Sequence, residues 1–99
     1  MASQLREYTI QEGRFGEFLA AWQAGVLPLR RRYGFHIVAW AIEEESRFVW
    51  VTSLDGTRGE FEARDAEYYA SPERAAMEPD PRQYVAAQRV TFVEPVVEP

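Results

Sequence analysis

Two apolar runs, Phe35 to Ile42 and Arg47 to Leu54, are separated only by Glu43-Glu44-Glu45-Ser46. Strands joined so closely pair antiparallel, because a parallel pair needs a crossover of about a dozen residues. The runs are rich in Val, Ile, Phe and Trp, which suit a pleated, buried surface. Side chains alternate along a strand. With an even loop, Ile37, Ala39 and Ala41 share one face with Phe48, Trp50 and Leu54, and His36, Val38, Trp40 and Ile42 share the other with Val49 and Val51. Both faces are apolar, so this hairpin must be covered twice.

The rest of the chain supplies one cover. Phe15, Phe18, Leu19, Trp22, Val26 and Leu29 recur at three- and four-residue steps, the apolar stripe of a helix. Pro28 lies inside that stripe and removes a backbone donor, so a kink or break is expected near Ala24-Gly25. Arg30, Arg31 and Arg32 follow in the last turn, where cations suit the negative end of the helix dipole. They are expected to be mostly exposed. Gly34 then closes the helix in a left-handed conformation. A second helix starts at Thr57, whose spacing to Glu60 is that of a capping box, and runs to about Ala70. Ser71-Pro72 opens a third, short helix that ends before Pro79-Asp80-Pro81. Leu5 to Ile10 and Tyr84 to Val93 read as the outlying strands.

The order is therefore strand, helix, strand, strand, helix, strand. A short echo supports it: Gly13-Arg14-Phe15-Gly16-Glu17-Phe18 matches Gly56-Thr57-Arg58-Gly59-Glu60-Phe61 at both glycines, the glutamate and the last phenylalanine. Each copy sits where a strand gives way to a helix. Two such halves build an α+β, ferredoxin-like βαββαβ subunit, a four-stranded antiparallel sheet with helices on one face. Two helices leave the other face bare, and a second copy of the chain is the simplest cover for it. Val38, Trp40, Trp50 and Val51 are the candidate residues at or beside that contact.

Composition narrows function mostly by exclusion. The 99 residues, 46% hydrophobic and 27% charged, suit one folded domain spanning 1–99. A formal charge of −5 repels nucleic acid and anionic membrane surfaces. No apolar run approaches the roughly 20 residues of a bilayer span, and Met1 to Gln4 lack the features of an export signal, so a cytoplasmic protein is expected. Without cysteine there is no disulfide or thiolate chemistry. One histidine and scattered carboxylates make a poor metal set, and the chain carries no nucleophile elbow or phosphate loop, so no metal or cofactor is expected.

Two sets of residues hold whatever chemistry exists. His36 is the only side chain whose ordinary pKa lies near neutrality, which makes it the weak candidate for a general base, against a simple place on a strand face. Tyr8, Trp22, Tyr68, Tyr69 and Arg74 could line a cavity between helices and sheet, with aromatic walls and a few donors suited to a small, planar, oxygenated ligand. The plainer reading of each is core packing.

The stretches "LREYTIQEG", "LPLRRRYGF", "FVWVTSLDG" and "YYASPER" together resemble the NIPSNAP-like family of the dimeric α+β barrel superfamily, over about Leu5 to Pro95. The resemblance implies a ferredoxin-like subunit that pairs sheet to sheet. It implies little about chemistry, since that superfamily spans cofactor-free oxygenases, haem-degrading enzymes, isomerases and members without known catalysis. Three readings follow: a homodimeric small-molecule-binding protein of unassigned activity; a cofactor-independent oxygenase or isomerase acting on an aromatic or polyketide-like substrate; or a non-catalytic structural or stress-related dimer.

Overall fold

The computed structural model describes residues 1–97. Four strands, β1 (Ala2–Ile10), β2 (His36–Ile42), β3 (Arg47–Leu54) and β4 (Val85–Val93), form one antiparallel sheet in the order β2-β3-β1-β4. The order is that of the expected ferredoxin-like subunit: each half contributes a strand, a helical crossover and a second strand two places away in the sheet. Ile42 pairs with Arg47 across the hairpin, so its loop holds the four residues Glu43 to Ser46. The loop is even, and the register places Ala39 opposite Trp50 and Val38 opposite Val51. Ser46 completes the turn in a left-handed conformation, φ 55°, and its hydroxyl donates to the Ile10 carbonyl at 2.9 Å, tying the hairpin to β1.

The first crossover is α1 (Phe15–Ala21), a π turn (Trp22–Val26) and α2 (Leu27–Arg32) in unbroken succession. The expected irregularity ahead of Pro28 thus takes the form of a widened turn, in which the Leu27 N–H bonds the Trp22 carbonyl five residues back. A π turn accommodates one extra residue without ending the helix, so the stripe continues past the proline. Gly25, on this turn, packs against Met77: a Cβ there would lie 2.8 Å from its sulfur and would push that side chain aside. Gly34 closes α2 at φ 90°, as expected.

The second crossover is α3 (Arg58–Ala70) and α4 (Pro72–Ala75). Thr57 and Glu60 form both bonds of the capping box, each 3.1 Å long. Ser71 caps α4, with Pro72 in its first turn. Phe18 and Phe61, the closing residues of the two echoed hexapeptides, are both fully buried. They head two adjoining core clusters, one of Tyr8, Phe48, Trp22 and Trp50 beneath α1, the other of Leu29, Phe35 and Tyr68 beneath α3.

Two expectations are corrected. The basic triplet is not uniformly exposed: Arg31 and Arg32 are, but Arg30 has 0% of its surface accessible. It falls four residues after Val26, itself four after Trp22, so the helical stripe carries it under α3. Trp50 is not on the bare face. Alternation along β3 turns it, with Phe48 and Thr52, toward the helices, where it is 1% exposed. Val51 points the other way, beside Val38 and Trp40, which are 55% and 53% exposed. A smaller difference is Tyr84, which closes a 3₁₀ turn (Pro81–Tyr84) ahead of β4 instead of beginning the strand.

Candidate functional site

The five residues expected to share a cavity do so. Tyr8 from β1, Trp22 from the π turn, Tyr68 and Tyr69 from the end of α3, and Arg74 from α4 all line one cleft between sheet and helices, joined by Trp50 and Arg30. Its enclosed space is about 20 Å³, room for about one water. Pro81, Arg82 and Val85 complete its lining at one end, where Arg82 is exposed to solvent. Tyr68 and Tyr69, about 100° apart around α3, take different roles. Tyr68 turns inward and is buried, whereas Tyr69 is partly exposed with its hydroxyl in the cleft wall.

Under the cleft lies a polar network that composition and motif reading did not single out. Arg30 Nη1 donates to Asp65 Oδ1 at 2.7 Å, and Arg30 Nη2 donates to the Tyr69 hydroxyl at 3.2 Å. From β1, Arg6 Nη1 donates to the same hydroxyl at 2.7 Å, its Nη2 lies 3.4 Å from Asp65 Oδ1, and its Nε donates to Gln4 Oε1 at 2.8 Å. Asp65 and Tyr69 are one helical turn apart on α3, so a single face presents a carboxylate and a phenol to two guanidiniums. Aromatic rings sheathe the cations: the Arg30 guanidinium carbon lies 4.2 Å from the Tyr68 ring centre and 4.8 Å from that of Phe35. Arg74, also buried, donates to Asp80 Oδ1 at 3.0 Å, and Asp80 in turn accepts from the Arg82 backbone and guanidinium at the rim.

Charge is unevenly met here. Arg30 and Arg74 carry two positive charges into the lining, and Arg6, bonded to Tyr69 outside it, adds a third, against Asp65 and Asp80. The two tyrosines respond oppositely. Burial pushes the Tyr68 hydroxyl above the ordinary tyrosine range, offset only in part by Arg30 and Arg74. Burial also pushes Tyr69 upward, but Arg6 and Arg30 beside it more than compensate and bring it below that range.

His36 stands apart from this site. It lies at the start of β2 on the face away from the helices, with 61% of its side chain exposed, 3.4 Å from the exposed Asp55 carboxylate. Alternation puts it there, beside an open surface hollow lined with Arg31, Gly34 and Phe35 that is separate from the cleft. The signals that could have found the missed residues are positional. Arg6 occupies an inward register position between Gln4 and Tyr8 on β1, and Arg30 lies on the helical stripe.

No protein-family model and no curated protein sequence matches the chain. Solved structures do. A NIPSNAP domain protein from Burkholderia xenovorans superposes with a TM-score of 0.82 at 23% identity, over 96% of this chain and 94% of that one. A NIPSNAP family protein from Agrobacterium tumefaciens gives 0.78 at 12% identity, over 95% and 91%. A structure described as an antibiotic biosynthesis monooxygenase gives 0.72 at 12% identity, over 98% and 100%. At these identities the likeness is one of fold, and it extends over nearly the whole chain. By fold, the chain is a ferredoxin-like α+β domain similar to the NIPSNAP structures, the fold its motifs suggested.

Proposed function

We propose that the protein is a homodimeric small-molecule-binding α+β barrel, with the ligand seated in the cleft beneath α3 and α4 against the β1–β3 floor. The observation that carries this reading is the concentration of polar groups around one aromatic-walled cleft, the buried Arg30, Arg74 and Tyr68 with the partly exposed Tyr69, above Trp50 and Tyr8. A core built only for stability gains little from such groups, since desolvating charges costs more than their pairing returns unless the geometry is very good. Entry requires the rim, Pro81 to Val85, to move outward, because the enclosed space is smaller than any organic ligand. Trp22 and Trp50 on the cleft wall make the test direct. A panel of small planar oxygenated compounds is screened by tryptophan fluorescence and thermal shift. A binder at 100 times its Kd adds about 2.7 kcal/mol of stability. A panel without a single binder would favour the structural dimer instead.

One observation favours an enzymatic version of the same site. Tyr69 is biased toward its phenolate by Arg6 and Arg30, and one structure of this fold is described as a monooxygenase. In a cofactor-independent oxygenase or isomerase, Tyr69 would take a proton from an aromatic or polyketide-like substrate, and Arg74 would steady the resulting enolate. His36 has no part in this version, since it lies on the opposite sheet face.

A further inference from the structure

Resting on the binding reading above, we infer that the cleft selects a planar organic anion, with carboxylate or enolate oxygens as its buried end. The inference comes from individual polar atoms, on side chains that line the cleft, that have no hydrogen-bond partner in the protein. Seven buried side-chain polar atoms among the described residues find none, and six of them belong to cleft residues: Trp22 Nε1, Trp50 Nε1, Arg30 Nε, Arg74 Nε and Nη1, and the Tyr68 hydroxyl. Five of these six can only donate, and the sixth can donate. A buried donor without an acceptor is costly, and native proteins hold few of them, so a cluster around one space calls for a shared acceptor.

The chemistry of that acceptor follows by elimination. A ligand presenting N–H or O–H groups inward would meet donors with donors. A cation would meet Arg30, Arg74 and Arg82 in the lining, three charges against those of Asp65 and Asp80. A phosphate or sulfate would satisfy the donors, but the walls beside them are the rings of Tyr8, Trp22, Trp50 and Tyr68, which reward a flat apolar body behind the charged end. A carboxylate or enolate conjugated to an aromatic or polyene body satisfies both. Arg74 is the recognising residue: it is 4% exposed and keeps Nε and Nη1 free after Nη2 is committed to Asp80.

The test compares benzoate and 2-naphthoate with their neutral amides and with benzylammonium at pH 7, by tryptophan fluorescence and melting temperature. The carboxylates should bind at least about tenfold more tightly than the amides, as expected for hydrogen bonds to a charged group, and the ammonium should not bind. Arg74→Gln should lose that preference while amide binding is retained. Tyr68→Phe provides a control for folding, because the hydroxyl it removes bonds nothing in the protein. It should melt no lower than the parent protein, yet bind the carboxylates several-fold more weakly. Amides binding as tightly as carboxylates would overturn the anion while leaving the cleft as a binding site. No binding by any compound would overturn both. A Tyr68→Phe protein that is less stable but unchanged in carboxylate affinity would show the donors to be structural, and the inference would fall.

Discussion

Arg30 and its two neighbours show how little residue type alone decides. Three consecutive arginines end the same helix, yet one is sealed beneath Tyr68 with its charge on Asp65, and two face water. Replacing Arg30 by Met leaves Asp65 with only the longer Arg6 contact and removes a donor from Tyr69. The expected cost is about 2–4 kcal/mol, the scale of a broken, largely buried ion pair. Arg31→Met and Arg32→Met should stay within about 0.5 kcal/mol. Urea unfolding of the three variants compares them, and equal losses across the triplet would refute the assignment. Asp80 makes a pH-dependent contribution. Burial would raise its pKa, but the bonds from Arg74 and from the Arg82 backbone and side chain outweigh that and hold it at about 2, against an ordinary 3.8. Because the folded state binds this proton less readily than the unfolded chain, the stabilisation is complete above about pH 4 and is lost as the pH falls through about 2. Asp80→Asn should therefore cost about 1–2 kcal/mol at pH 7, after allowance for the partial exposure of the carboxylate, and progressively less as the pH falls to about 2 and below. A stability difference that persists unchanged into acid would count against the pairing.

At the scale of elements, both strand-to-helix junctions begin with a left-handed glycine, but only the second is locked by side chains. Gly13 and Gly56 have φ of 77° and 133°. Thr57 and Glu60 satisfy two helix-end donors reciprocally, whereas Arg14 at the start of α1 makes no capping bond and instead pairs with Glu17 on the surface. Thr57→Ala should thus cost about 1 kcal/mol. Amide exchange should locate that loss in the first turn of α3, and an unchanged rate there would mean that α3 is held by Phe61 and its neighbours alone. The crossovers differ again at Pro28. The π turn ahead of it keeps α1 and α2 in one succession, which carries the stripe on to Leu29 and Arg30.

For the whole molecule, the decisive feature is the bare side of the sheet. Leu5, Val38, Trp40, Ile42, Val49 and Val51 share it, and it turns polar at Glu7 on β1, Arg47 on β3 and Arg89 on β4. Soluble monomers seldom leave an apolar surface of this kind to water. In the proposed dimer the two sheets meet here, burying about 800 Å² per subunit around a two-fold axis. Sedimentation at micromolar concentration should give about twice 11.5 kDa. Val38→Asp or Val51→Asp should shift the protein toward monomer without touching the cleft on the other face. A parent protein that sediments as a monomer, or variants that stay dimeric, would place the contact elsewhere or remove it.

The hairpin, the helical stripe, the capping box and the strand-helix order were legible in the sequence because each is written in residues close along the chain. Periodicity and capping chemistry act over a few positions, but it took the register of the sheet, with Ile42 opposite Arg47, to settle the loop as even and separate Trp50 from Val38 and Trp40. The aromatic and cationic members of the cleft were legible as types. Their convergence with Arg6 and Arg30 was not, because it joins residues up to 63 positions apart in a pair such as Arg6 and Tyr69. Whether an arginine at an inward position is buried depends on whether a carboxylate and a phenol arrive opposite it. Only the packing of α3 across β1 and α2 brings Asp65 and Tyr69 there, so the tertiary structure alone decided which cations became a site.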